Sequence, residues 1–280
     1  MKQIFADLDS AIDLLPTDFA DIKSASEIPA KYQAINAEMG GYNLVFGHAN
    51  KGRMSGRIAE AIRAQAALLA ASPAYRDASG VTSEQAANYA AVVLQRVGGV
   101  AGLDPQGHRW YMQTTAIDDI QNGEIAEILW RGDRTNGTDD WDLGIDQERK
   151  NFPPTLYGSG RLNPSQNLVD AFPAAHGYPI SDTQSGYAES NPYLNRDPRL
   201  SEYIIYNGSR YRGKSIITGA YADADGKTDD GMNAISTSTR TGYYLKKLLR
   251  SDCNPDPSAT NAQYHFPVRI RYTELFLTYA

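Results

Sequence analysis

The feature that most limits what this chain can build is a change of texture near Gly102. Before it, apolar residues recur at helical spacing between clear stop signals. After it, Pro and Gly interrupt the chain at short intervals. In residues 2–15, Ile4, Leu8, Ala11, Ile12 and Leu15 share one helical face, and Pro16 ends the run. The clearest helix follows Gly56, where Ile58, Ile62, Ala66 and Leu69 form a stripe closed by Ser72-Pro73. Thr82-Ser83-Glu84-Gln85 fits a capping box and opens an Ala- and Val-rich helix that ends at Gly98-Gly99. Ile58 and Ala91 stand 33 residues apart, close to the repeat of a helix-turn-helix solenoid, although two helices do not define a repeat.

Beyond Gly102 the apolar runs are brief: Trp110-Tyr111-Met112, residues 125–130, residues 203–206 and Ser215-Ile216-Ile217. They predict short strands tied by long loops. Residues 131–167 and 218–240 have almost no periodic pattern, and loops that long in a folded chain are often functional. Residues 268–280 read as helix. The expected organisation is a helical part over 1–102, a loop-rich part over 103–267 and a further helical part starting at 268.

Charge and composition remove several functions. With 27 Lys+Arg against 33 Asp+Glu the net charge is −6, which argues against a protein that gains affinity by neutralising phosphates. No apolar run approaches the length needed to cross a bilayer. Cys253 is alone, so neither an internal disulfide nor a cysteine-based zinc site can form. Tyrosine is the aromatic in excess, 18 against 7 Phe, and 12 of the 18 lie from Tyr178 onward. Tyr suits half-wet surfaces, either packing irregular segments with its hydroxyl bonded or stacking on planar and sugar-like ligands.

The chemistry-bearing patterns are mostly incomplete. Tyr157-Gly158-Ser159-Gly160 approaches a nucleophile elbow but has Tyr where the first Gly belongs. His48, His108, His176 and His265 show no metal-ligand interval, and no phosphate-binding loop is present. Asp139, Asp140, Asp142, Glu124 and Glu127 could supply a paired-carboxylate glycosidase by residue type, although nothing in the sequence sets two of them face to face. Asp223-Ala224-Asp225-Gly226 with Asp229-Asp230-Gly231 suggests calcium, but Lys227 falls at a ligand position and the Gly comes too early. No metal and no cofactor are expected. Trp130, Trp141 and Tyr157 flank the acidic loop, giving aromatic walls beside polar groups, the usual make-up of a small-ligand site.

Several stretches resemble the SusD/RagB-like nutrient-binding family. They are Gly52-Arg53-Met54-Ser55 leading into Ala61-Ile62-Arg63-Ala64, Asn163-Pro164-Ser165-Gln166-Asn167-Leu168-Val169-Asp170-Ala171-Phe172, and Gly177-Tyr178-Pro179-Ile180. Most specific is Asn191-Pro192-Tyr193-Leu194-Asn195-Arg196-Asp197-Pro198-Arg199-Leu200, followed by Gly242-Tyr243-Tyr244-Leu245 and the segment 269–280. The resemblance covers essentially the whole chain.

What it implies is a mainly α fold, with tetratricopeptide-like helix pairs supporting a loop-rich region that has a few short strands. It further implies a non-enzymatic, surface-exposed outer-membrane protein that captures oligosaccharides and passes them to a SusC-like TonB-dependent transporter. Contact with the membrane would come only through a lipid anchor that this chain does not carry, since Cys253 lies too deep. The chain therefore reads as an internal fragment of such a protein. The family's sugar-contacting aromatics have no fixed motif, so the implied site is regional. Within 130–160, Trp141, Tyr157 and Trp130 are the expected stacking platforms, with Asp139, Asp140 and Arg149 as hydroxyl partners. Arg196, Asp197 and Arg199 are expected to form a partly buried ion-pair cluster that fixes a turn. Alternatives are a carboxylate-dependent glycoside hydrolase and a relative tuned to peptides or other nutrients.

Overall fold

The computed structural model describes residues 2–119, 124–132, 145–219 and 228–280. Its elements run α1 (Lys2–Leu14), α2 (Ala30–Gln33), α3 (Met39–Phe46), α4 (Gly56–Ala71), α5 (Arg76–Ser79), α6 (Ser83–Arg96), α7 (Thr114–Asp118) and β1 (Ile128–Arg131). They continue with α8 (Asp146–Asn151), α9 (Gln166–Ala171), α10 (Pro198–Tyr203), β2 (Ile204–Ile205), β3 (Arg210–Tyr211), β4 (Lys214–Ser215), β5 (Tyr244–Leu245), β6 (Val268–Arg271) and α11 (Tyr272–Tyr279). The fold is mainly helical, as expected, and its strands are short. The chain divides into two compact units, Met1–Arg134 with Phe266–Ala280, and Thr135–His265. The texture change at 102 thus falls inside the first unit, which takes back the C-terminal segment.

In the first unit α4 and α6 form the central helix pair, flanked by α1 and α11. Thr82 makes the expected capping box: its Oγ1 accepts from Gln85 N at 3.1 Å, and Gln85 Oε1 accepts from Thr82 N at 3.0 Å. The buried face of α4 differs from the expected stripe. Ala59, Ala61, Ala64, Ala67 and Ala70 are fully buried, whereas Leu69 is half exposed. Small side chains let α4 approach Ala86, Ala90 and Val93 of α6 closely, and a leucine stripe at the contact would hold the helices apart. Glu60, buried on α4, receives the guanidinium of Arg96 from α6. On α1 the inward stripe starts at Phe5, which stacks on Tyr89 at 6.2 Å, while Ile4 points outward.

Two expected strands fare differently. Trp110-Tyr111-Met112 lies in a 3-10 stretch, with Trp110 packed on Phe266 at 5.4 Å, rather than in a strand. Residues 128–131 do form one, pairing antiparallel with β6. The segment from 268, expected to be helical throughout, is therefore extended as far as Arg271, and α11 starts at Tyr272. Glu127 explains the switch: its carbonyl accepts from Tyr272 N at 2.9 Å and its carboxylate from Thr273 N at 3.3 Å. An acidic acceptor at a helix start satisfies amides that have no partner within the helix. Glu124 pairs with Lys51. Two candidate glycosidase acids thus serve the scaffold.

The second unit is held by two apolar clusters. One gathers Phe152, Leu156, Ile205, Tyr211, Ile216, Tyr244 and Leu249; the other gathers Val169, Leu200, Ile204 and Tyr243. Strand β2 pairs with β5, and β3 with β4, each antiparallel and two residues long. Tyrosines fill much of this space. Tyr244 is fully buried, with its hydroxyl donating to Asp230 O at 2.9 Å, and Tyr193 stacks on Tyr206 at 4.1 Å. Most of the C-terminal tyrosine excess is therefore internal packing.

Arg196 departs from the ion-pair expectation. Buried beside Val169 and Phe172, it donates to three carbonyls, Pro192 O at 2.8 Å, Val169 O at 2.6 Å and Phe172 O at 2.7 Å. Two of these carbonyls, of Val169 and Phe172, lie at the end of α9, where a helix has acceptors it cannot satisfy itself. The carboxylate in the motif, Asp197, pairs instead with the exposed Arg199 at 2.6 Å. Among the described residues no helix is long and apolar enough to cross a membrane.

Candidate functional site

The exposed ring of Tyr157 stands on a turn that its neighbours over-determine. Helix α8 runs into Phe152, which is fully buried, and Pro153-Pro154 then starts a 3-10 turn over Pro154–Leu156. Tyr157 N donates to Pro154 O at 2.9 Å, Gly158 N to Pro153 O at 3.2 Å, and Leu156 is buried. Closing this turn places Tyr157 in the left-handed region, φ 62° and ψ 26°, which costs energy for any residue with a Cβ. The chain then returns along α8, with Ser159 N donating to Arg149 O at 2.8 Å and Arg161 N to Lys150 O at 2.9 Å. Gly158 is required here, because a Cβ would sit 2.0 Å from Phe152 O. The Gly-Ser-Gly run that approached a nucleophile elbow therefore serves close backbone pairing. Tyr157 itself is left 53% exposed.

A hairpin sets polar groups beside that ring. Strands β3 and β4 are joined by Arg212 and Gly213, with φ of 48° and 78°, the signature of a two-residue type I′ turn. Arg212 Nε donates to Ser251 O at 2.9 Å, and its guanidinium lies 5.5 Å from the Phe152 ring centre. This fixes the hairpin so that Lys214 Nζ donates to Thr155 O at 2.7 Å. Below, the buried Asp230 accepts from Thr155 N at 2.9 Å and Thr155 Oγ1 at 2.5 Å. Burial pushes its carboxyl pKa up, partly offset by those two bonds.

Asp256 completes the ledge. Its Oδ1 accepts from Ser258 Oγ at 2.7 Å and Ser258 N at 2.8 Å, and these bonds, with smaller help from Tyr157 and Lys214, hold its pKa below the usual carboxylate range. The Tyr157 phenol is directed at this carboxylate, which pushes the phenol's own pKa up. The exposed Tyr157 ring thus has an acceptor, Asp256, facing its phenol, while the Lys214 ammonium is held at the carbonyl of Thr155 in the same turn. Flat rings cover sugar C–H faces, and paired donors and acceptors read neighbouring hydroxyls.

Of the residues singled out in the sequence, Tyr157 and Arg149 come together in one local segment. The Arg149 backbone pairs with Ser159, while its side chain is exposed and reaches Asp146 at 3.1 Å. Trp130 belongs to the first unit, where it lies half-buried in β1 opposite Ile270 and packs against the core of α4, α6 and α11. Trp141, Asp139 and Asp140 lie outside the described residues, as does the Asp223-Ala224-Asp225-Gly226 turn. Sequence reasoning missed Lys214, Asp256 and Ser258. The Asp-Pro-Ser spacing of 256–258 was an available signal, since Asp side chains bond the amide two residues on.

The family model of the SusD family matches residues 126–280. No curated protein matches the chain. Among solved structures, the chain is similar to a SusD-like carbohydrate-binding protein of Bacteroides fragilis, with a TM-score of 0.62 and 17% identity, over 99% of this chain and 44% of that one. A second SusD-like protein of the same species gives a TM-score of 0.56 and 19% identity, over 98% of this chain and 46% of that one. At such identity these likenesses establish the fold, and the chain spans less than half the length of either protein.

Proposed function

The chain belongs to the SusD family, and from that premise we propose that its second unit captures glycans on the Tyr157 ledge without chemically altering them. The observation that carries this reading is the Tyr157 ring, exposed on a left-handed turn, with the Asp256 carboxylate facing its phenol and Lys214 bonded to Thr155 O two residues earlier in the chain. Natural chains keep strained, exposed aromatics where a function needs them, since a glycine or asparagine would close the same turn at lower cost. The carbohydrate-binding description of one of the similar B. fragilis proteins supports the ligand class. Arg149, one backbone pairing away, is the adjoining polar group. Trp141, Asp139 and Asp140 are further ligand contacts in this proposal, with Trp130 a separate platform on the first unit.

The parent protein, on this reading, sits at the outer-membrane surface on a lipid anchor and delivers its cargo to a SusC-like TonB-dependent transporter. Family membership supports both statements. The ledge is tested by arraying plant, host-mucin and microbial oligosaccharides against the protein and its Tyr157→Ala variant, with chromatography of the spent ligands. Retention of one glycan class by the parent alone, with the ligand recovered intact, is expected. Equal retention by the variant would remove Tyr157 from the site, and release of reducing ends would replace capture with hydrolysis.

A further inference from the structure

A second concave site lies in the same unit, on the ribbon formed by β2 and β5. Its volume is about 140 Å³, and its floor is the buried backbone and side chains of Ile204 and Ile205. The Tyr206 ring forms one wall and is fixed by stacking on Tyr193 at 4.1 Å with an interplanar angle of 23°. No residue of the Tyr157 ledge lines this pocket.

Its polar lining carries only positive charge. Lys246 follows β5, and its Nζ is drawn to the rim by a 2.6 Å bond to Ser201 O. Arg210, on β3, uses one guanidinium nitrogen, Nη2, in a long 3.3 Å bond to Gly213 O. The rest of its fork meets no protein acceptor among the described residues. Ser209 Oγ accepts from Tyr206 N at 3.2 Å, which leaves its hydroxyl proton free to donate. Two cations, of which Arg210 offers the open guanidinium fork, and a hydroxyl, with no carboxylate among the lining residues, form a donor-rich site above an apolar floor. A planar anion satisfies such a set, because a guanidinium matches a carboxylate through two parallel hydrogen bonds.

We infer that this pocket binds the carboxylate of an acidic sugar, with Arg210 gripping the carboxylate and the Tyr206 side chain covering the ring. The sugar part of this inference rests on the glycan-capture reading; the carboxylate part rests on the pocket alone. The volume suits a single residue, so the site reads one uronate unit or chain end rather than a polymer.

Titration calorimetry with glucuronate, its methyl ester, glucose and acetate tests it. Glucuronate is expected to bind saturably, the ester and glucose at least about tenfold more weakly, the loss that removing one charge-assisted pair brings, and acetate more weakly because it lacks the ring. Arg210→Gln should lower glucuronate affinity by a similar factor at an unchanged Tm. Arg210→Lys should fail to restore it, because the charge returns without the fork. Equal binding of the ester, or full glucuronate affinity in Arg210→Gln, would overturn the proposal. Acetate binding as tightly as glucuronate would overturn its sugar part. Tyr157→Ala separates the two readings. Neutral-glycan binding that is unchanged in Tyr157→Ala, with glucuronate binding lost in Arg210→Gln, sinks the ledge alone, and Tyr157-dependent neutral-glycan binding in a protein that does not bind glucuronate sinks the pocket alone.

Discussion

The hydroxyl of Tyr157 is directed at the carboxylate of Asp256, across a gap of 99 residues in sequence that the β3–β4 hairpin and the segment after Cys253 close in space. Each group perturbs the other: the phenol's pKa rises and the carboxyl's falls. The pair therefore stays phenol and carboxylate across the neutral range. It holds an aromatic face outward with an acceptor at its edge.

The strained turn makes a separable variant available. Asn tolerates the left-handed region far better than Tyr, so Tyr157→Asn should keep the fold. Thermal denaturation is expected to give a Tm at or above that of the parent. A marked fall in Tm would mean the ring packs against the unit rather than standing clear of it.

Arg196 should behave as scaffold. Replacing it with Ala strands the carbonyls of Pro192, Val169 and Phe172. At about 1–3 kcal/mol per buried unsatisfied group, partly relieved by water, a loss of roughly 2–4 kcal/mol is expected in urea unfolding. Arg196→Lys should recover little of it, since an ammonium cannot span three acceptors placed for a guanidinium. A full rescue by Lys would show that charge alone matters at this position.

Cys253 is fully buried, and burial, with the neighbouring Glu148, pushes its thiol pKa up to about 12. The thiolate is the reactive form, so the native protein should resist maleimide or disulfide reagents at pH 8 and react once unfolded. Mass spectrometry of native and denatured samples checks this. Rapid native labelling would show that the segment opens readily.

The Arg250–Asp252 pair sets a limit on acid stability. Burial alone would raise the Asp252 pKa, but the Arg250 guanidinium, 2.7 Å away, outweighs it and holds the carboxyl below its ordinary value. A depressed folded-state pKa gives stability that is fully present above the unfolded value, near 4, and is lost as pH falls through the folded one. Asp252→Asn should therefore lower Tm at pH 7 and narrow its gap to the parent as pH falls below the ordinary carboxylate value, about 4. A gap that is constant with pH would remove the charge from this account.

Local signals carried the helical part well. The capping box at Thr82 and the stop at Ser72-Pro73 depend on neighbours in sequence, and both appear where the residues put them. The buried face of α4 does not follow its Ile and Leu stripe, because alanines set the distance to α6. Strands two residues long have no period to read, and their pairing depends on segments about 40 residues apart, such as Ile205 with Tyr244. Arg196 shows the same limit, since charges are visible in a sequence and carbonyl acceptors are not. At the site, Tyr157 stood out as an aromatic beside an acidic loop. Lys214 and Asp256 reach it only through the arginine-fixed hairpin, which no local pattern announces.

Calorimetric titration of the parent protein and Tyr157→Asn with the glycan that the array selects tests the central claim most directly. Saturable heat is expected with the parent, and a loss of at least about tenfold in affinity with the variant, as removal of an aromatic anchor brings at binding sites. Identical isotherms, from two proteins of equal Tm, would contradict it.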